Sequence, residues 1–87
     1  MKIKEGFVLR QVADATIVVP SGKTSLDFNG MITLNDTGAF LWKLLESETD
    51  EQAVLEAMLG EYDVDEETAR AGVEKFVGRL REEGLLE

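Results

Sequence analysis

At the junction of Leu34 and Asn35 the apolar residues of this chain change their spacing, from about two residues to about 3.6, and they change it once. Strands therefore come first and helices second, which predicts an α+β domain with the two kinds of element segregated along the chain. On the strand side, residues 7–12 and 16–19 are two branched, apolar runs separated by Ala13-Asp14, the pattern of a β-hairpin. Pro20, Ser21, Gly22 and Lys23 are expected to end the second strand, because proline donates nothing to a ladder and glycine tolerates turn dihedrals. A third run, residues 31–34, is entered through Phe28-Asn29-Gly30, a turn signal. Parity along it places Phe28, Ile32 and Leu34 on the core face and Met31 and Thr33 on the other.

On the helix side, Asn35 is a good N-cap, and Leu41, Leu44 and Leu45 form an apolar stripe broadened by Phe40 and Trp42. The second helix is expected to open with a capping box, Thr49 as the cap and Gln52 reaching back to it. Val54, Ala57 and Met58 would point inward with Leu55 and Leu59 beside them, and Gly60 would stop the helix. The third is the best marked. Asp65 caps it, Glu66 and Glu67 suit its positive end, and Ala69, Val73, Phe76, Val77 and Leu80 form its inward stripe. Gly84 stands where a left-handed C-cap belongs, with Leu85 placed to fold back on the last turn. Gly72 and Gly78 interrupt this pattern, at a cost of about 1 kcal/mol each against alanine. They are either tolerated surface glycines or places where another backbone comes close. The second and third helices with their short link resemble a helix-turn-helix, which makes the whole winged helix-turn-helix-like: a three-stranded antiparallel sheet followed by three helices.

The 87 residues suit one domain, taken as 1–87. With no cysteine and no histidine, thiol nucleophiles, His-based acid–base pairs and most transition-metal sites are excluded. The acidic residues fall on solvated helix starts, and no phosphate-cradling glycine loop occurs. The expectation is a protein that is not an enzyme, holds no cofactor or metal and works in the cytoplasm. No apolar run reaches the length of a membrane span. A formal charge of −9 sets the net field against phosphate backbones. What is left is surface: an uncharged third strand at a sheet edge, able to accept an extended peptide as an added strand.

The segment Leu34-Asn35-Asp36-Thr37-Gly38 followed by Phe40-Leu41-Trp42-Lys43-Leu44-Leu45 resembles the PqqD family. The likeness continues through Thr49, Tyr62-Asp63-Val64-Asp65 and Val73-Glu74-Lys75-Phe76 to Leu80 and Gly84-Leu85-Leu86. That family exemplifies the RiPP recognition element. The resemblance implies a winged-helix domain that binds the leader segment of a ribosomally made precursor peptide. The leader would add antiparallel to the third strand, lie against the third helix, and be presented to a modifying enzyme, often of the radical SAM type. Carried onto this chain, the strand wall is Asn29, Gly30, Met31, Ile32, Thr33 and Leu34. The helix wall is Ala69, Gly72, Val73, Phe76, Arg79 and Leu80, with Arg70, Lys75 and Arg79 as cations for an acidic leader residue. Two positions depart from the family pattern: Gly72 replaces an acidic residue, and Glu46-Ser47-Glu48 replaces an Asp-Gly.

Two other functions fit the same architecture. A winged-helix DNA-binding regulator would need a basic recognition helix, whereas residues 66–83 mix four cations with five carboxylates in a domain that is acidic overall. An adaptor docking directly on a protein partner is the third reading. On the leader reading, proline at Gly30 or Ile32 is expected to block strand addition without unfolding the domain.

Overall fold

The computed structural model describes residues 1–21 and 32–87. Strands β1 (Phe7–Val12), β2 (Ala15–Pro20) and β3 (Ile32–Leu34) precede helices α1 (Asp36–Leu45), α2 (Glu51–Glu61) and α3 (Glu66–Glu82). The sheet is antiparallel throughout in the order β1-β2-β3, so β2 is central and β3 lies at an edge. β1 and β2 are joined by Ala13-Asp14, with Val12 opposite Ala15. Ala13 takes φ +54° to make so tight a turn, a conformation that costs a residue with a Cβ roughly 1–2 kcal/mol.

The hydrogen-bond phase of the sheet follows from a single contact. Ser21 N–H donates to Gly6 C=O at 2.7 Å, one step beyond the pair Phe7/Pro20. Bonded and non-bonded pairs alternate in an antiparallel ladder, so Val8/Val19 and Arg10/Ile17 are bonded pairs. The N–H and C=O groups of Thr16 and Val18 therefore turn the other way, toward Leu34 and Ile32 of β3. Thr33, between them, aims its own N–H and C=O out of the sheet.

One core joins sheet and helices. Val18, Ile32 and Leu34 from the strands meet Leu41, Trp42, Leu45, Val54, Leu55, Met58, Ala69, Val73, Val77 and Leu80 from the helices. Phe7 meets the Trp42 ring edge-on at 6.0 Å, which fixes the start of the hairpin against α1. Each helix begins at a side-chain cap: Asn35 accepts from Gly38 N–H (2.7 Å), Asp50 from Ala53 N–H (2.8 Å) and Asp65 from Thr68 N–H (3.1 Å). α3 ends in a Schellman motif. Leu85 N–H bonds to Leu80 C=O (2.9 Å), Gly84 N–H bonds to Arg81 C=O (3.1 Å), and Gly84 sits at φ +71°. Leu85 is thereby buried in the core.

The expected strand order, parity of Ile32 and Leu34, helix succession and α3 caps are all present. Three expectations at α2 are corrected. Asp50, not Thr49, is the cap; Thr49 instead gives its N–H to Met1 C=O, and Gln52 bonds forward to Glu56. With the Thr49 N–H held by Met1 C=O, Thr49 stays outside the helix, and the neighbouring Asp50 carboxylate accepts from Ala53 N–H in its place. Leu55 belongs to the core, while Ala57 is only half-buried. Gly60 does not stop α2, which runs on to Glu61; a helical glycine is costly but not forbidden. Unforeseen was a strap at the N-terminus. Ile3 pairs with Leu86, while Lys4 N–H to Leu85 C=O and Glu87 N–H to Lys2 C=O (both 2.8 Å) stitch the two ends of the chain together.

Candidate functional site

Nothing among the described residues pairs with β3 on its outer side, so the Thr33 N–H and C=O are open to a further strand. Asn35, two residues on, is the last residue with strand-like dihedrals. Its carbonyl is already taken by Ala39 N–H (2.9 Å), and its side chain caps α1. The edge thus ends where the helix begins, and Asn35 accomplishes both.

Facing this edge is α3, and between the two runs a groove of about 310 Å³. Thr33, Leu34, Asn35, Thr37, Gly38 and Leu41 line one wall; Gly72, Lys75, Phe76 and Arg79 line the other. The sequence explains why α3 presents these four. Ala69, Val73, Val77 and Leu80 turn one stripe to the core, and Gly72, Lys75, Phe76 and Arg79 follow on the adjacent flank in sequence steps of three, one and three. Phe76 is half-buried, and Leu34 and Leu41 supply an apolar floor. Gly72 leaves the wall open: among the described residues a Cβ there would meet only Met58 Cε, at an ordinary 3.8 Å.

Of the expected site residues, Thr33, Leu34, Gly72, Phe76 and Arg79 come together in this groove. Ile32, Ala69, Val73 and Leu80 do not: all four are core residues, none more than 4% exposed. They support the walls from behind. Helical and strand periodicity identified them as inward-facing, and inward here is toward the core, not toward the groove beside it. Asn29, Gly30 and Met31 lie outside the described residues. The sequence reading missed Asn35, Thr37, Gly38 and Leu41 as groove residues. Helix capping accounts for Asn35 in the sequence, although a cap placed at the end of an edge strand necessarily lies at the mouth of any cleft beside that strand. The expected block by proline also moves. The Ile32 N–H faces β2, so proline there breaks the sheet itself; Thr33 is the position whose N–H faces outward.

The α3 cations are distributed unevenly. Arg70 turns to Glu66 (3.8 Å) and Arg81 to Glu51 on α2 (3.7 Å), both away from the groove. Arg79 lines the groove and stands 3.9 Å from Glu83, while Lys75 has no carboxylate partner among the described residues. A smaller hollow of about 260 Å³ lies between the strap, β1 and α1, and is lined by charges of both signs, Lys2, Lys4, Glu5 and Glu46. No group of His, Cys, Asp or Glu among the described residues is arranged to hold a metal ion. No described helix is long and apolar enough to cross a membrane.

Comparison with known proteins adds three findings. The family model described as coenzyme PQQ synthesis protein D (PqqD) matches residues 16–86. A solved chain described as TbiB1 in complex with the TbiA(beta) leader peptide is 25% identical, with a TM-score of 0.76 over 100% of this chain and 95% of that one. A solved chain described as lasso peptide synthetase B1 complexed with the leader peptide is 19% identical, with a TM-score of 0.71 over 97% and 93% of the two chains, and shares the fold. No curated protein matches the chain.

Proposed function

The chain belongs to the PqqD family, and from that premise we propose that residues 1–87 act as one domain that holds the leader segment of a ribosomally made precursor peptide. The leader adds as a strand to β3 and is presented to a modifying enzyme of the radical SAM type. The observation that carries this reading is the Thr33 backbone. Its N–H and C=O project from a sheet edge that no described residue pairs with, into a groove whose far wall is α3. The two solved chains of the same fold, each described with a leader peptide, support the same occupant. Backbone bonds to Thr33 give the added strand its register. Leu34, Leu41 and Phe76 offer an apolar pocket to every second side chain.

Binding and presentation need no catalytic group of this chain's own. The bond-making chemistry belongs to the partner enzyme, and the cysteine-free composition suits a reducing cytoplasm. The DNA-binding alternative is disfavoured by the charge balance. Residues 66–83 carry four cations against five carboxylates in a chain of formal charge −9, a field that offers phosphate backbones little attraction.

The test is a pair of proline variants titrated with a fluorescein-labelled leader from the accompanying precursor peptide. Thr33→Pro removes an outward N–H on an edge strand, where proline is tolerated, and is expected to keep the native melting transition while weakening binding by about tenfold or more. Ile32→Pro removes an N–H used by β2 and is expected to unfold the domain. If Thr33→Pro is folded and binds as tightly as the parent, strand addition at β3 is wrong.

A further inference from the structure

The groove has the opposite charge to the protein. The chain carries 18 carboxylates against 9 cations, yet the described residues lining the groove include two cations, Lys75 and Arg79, and no carboxylate. Both come from α3 and are separated by one helical turn, about 6 Å along its axis. Between them stands Phe76, which with Leu34 and Leu41 makes the apolar part of the lining. An apolar pocket flanked by cations, in a molecule otherwise negative, is a recognition surface for a particular kind of peptide.

Resting on the strand-addition reading, we propose that the groove selects an acidic amphipathic strand: an apolar anchor residue with Asp or Glu at even spacing from it, two or four positions along the peptide. The phase of the sheet dictates the even spacing. A peptide residue bonded to Thr33 points its side chain to the Thr33 side of the sheet, whereas the residue opposite Leu34 points to the Leu34 side, toward α3. Residues two apart on an extended strand are about 6.4–6.8 Å apart, close to the rise between Lys75 and Arg79. An anchor in the Leu34–Leu41–Phe76 pocket therefore brings its neighbours at plus or minus two within reach of the cations, and sends those at odd spacing to the other face. Arg79 is available for this exchange. Its contact with Glu83 is long, at 3.9 Å, with the two side chains 52% and 38% exposed, so solvent screens it. Elsewhere on the surface the excess of carboxylates repels the same acidic peptide, which confines binding to the groove.

A displayed library of randomised short peptides tests the idea without knowledge of the natural leader. The intact chain and the Lys75→Glu/Arg79→Glu variant are each used to sort it at low salt. The intact chain is expected to enrich peptides with an apolar residue and an Asp or Glu at even spacing. The variant is expected to enrich Lys or Arg at that same spacing. Reversing the acid in one selected peptide should weaken its binding to the intact chain by about tenfold, with recovery on the variant. Apolar enrichment without an acidic bias, or acids at odd spacing as often as even, overturns the inference and leaves strand addition standing. A library that yields no binder at all overturns both. The sort with the intact chain decides the matter even if the variant is unstable.

Discussion

Gly72→Ala should make this protein more stable and worse at holding a peptide. Glycine inside a helix is unfavourable by about 0.8–1 kcal/mol relative to alanine, chiefly through backbone entropy. Nothing in the fold demands glycine here. Gly72 lies within α3, has no positive φ, and an added Cβ would find its nearest foreign neighbour, Met58 Cε, at 3.8 Å. The substitution should therefore return most of that helix term, which for a domain this small raises the melting temperature by roughly 4–8 °C. The same methyl would be added to the α3 wall of the groove, which Gly72 helps to line. If a peptide backbone or side chain packs against that wall, overfilling costs about 1–3 kcal/mol, a loss of roughly five- to 150-fold in affinity.

Gly78→Ala supplies the control. It is in the same helix and has nothing within 4 Å of a built Cβ, but it does not line the groove. Six residues on, it lies about 240° around the helix from Gly72. It should gain similar stability and bind the peptide unchanged. Circular dichroism melts and anisotropy titrations of a labelled leader on both variants separate the two effects. A stabilised Gly72→Ala that binds as tightly as the parent would falsify the claim that the ligand packs on this part of α3. A destabilised one would show that the environment of Gly72 has been misread.

Asn35→Ala removes the side chain that accepts Gly38 N–H at the mouth of the groove. It is expected to cost about 0.5–2 kcal/mol, visible as a lower urea midpoint at constant m-value, with leader binding reduced as well because the lining at Asn35, Thr37 and Gly38 loosens. The Asp65 carboxyl is held below its ordinary 3.8 by hydrogen bonds from Thr68. A depressed acid stabilises the fold above its unfolded pKa, and that contribution disappears as pH falls through the lowered folded value. Asp65→Ala should therefore narrow the stability difference between the two proteins as pH drops below about 3.8, measured by melts from neutral to acid; a difference independent of pH would refute it.

Most of the fold was legible because its signals are local. Asn35, Asp65 and Gly84 each announce a helix end through a few neighbouring residues, and each behaves as its chemistry dictates. The failures at α2 are local too, and arise where two signals compete. Thr49 and Asp50 are both good caps, side by side, and which one wins depends on the N-terminal strap: Met1 C=O takes the Thr49 N–H and fixes that residue outside the helix. The strap itself left no signal, because Ile3 pairs with Leu86 across almost the whole length of the chain and neither residue carries a mark of the other.

The groove was half legible for a related reason. Periodicity separates the inward residues of a helix from the outward ones, but a cleft beside a core is lined by neither; it is lined by the flank between them. Val73 and Leu80 satisfied every inward criterion and proved to be core, at 2% and 1% exposure, while Gly72 and Arg79, each one position earlier, line the groove. A shift of one residue is about 100° on a helix, which is the difference between supporting a wall and being its surface. On the strand the same one-residue shift separates Ile32, whose N–H holds the sheet together, from Thr33, whose N–H faces outward. That bond phase cannot be read from β3 alone. It is transmitted across β2 from the Gly6–Ser21 contact at the far edge of the hairpin, so the residues that set the register of a bound peptide include two that never approach it.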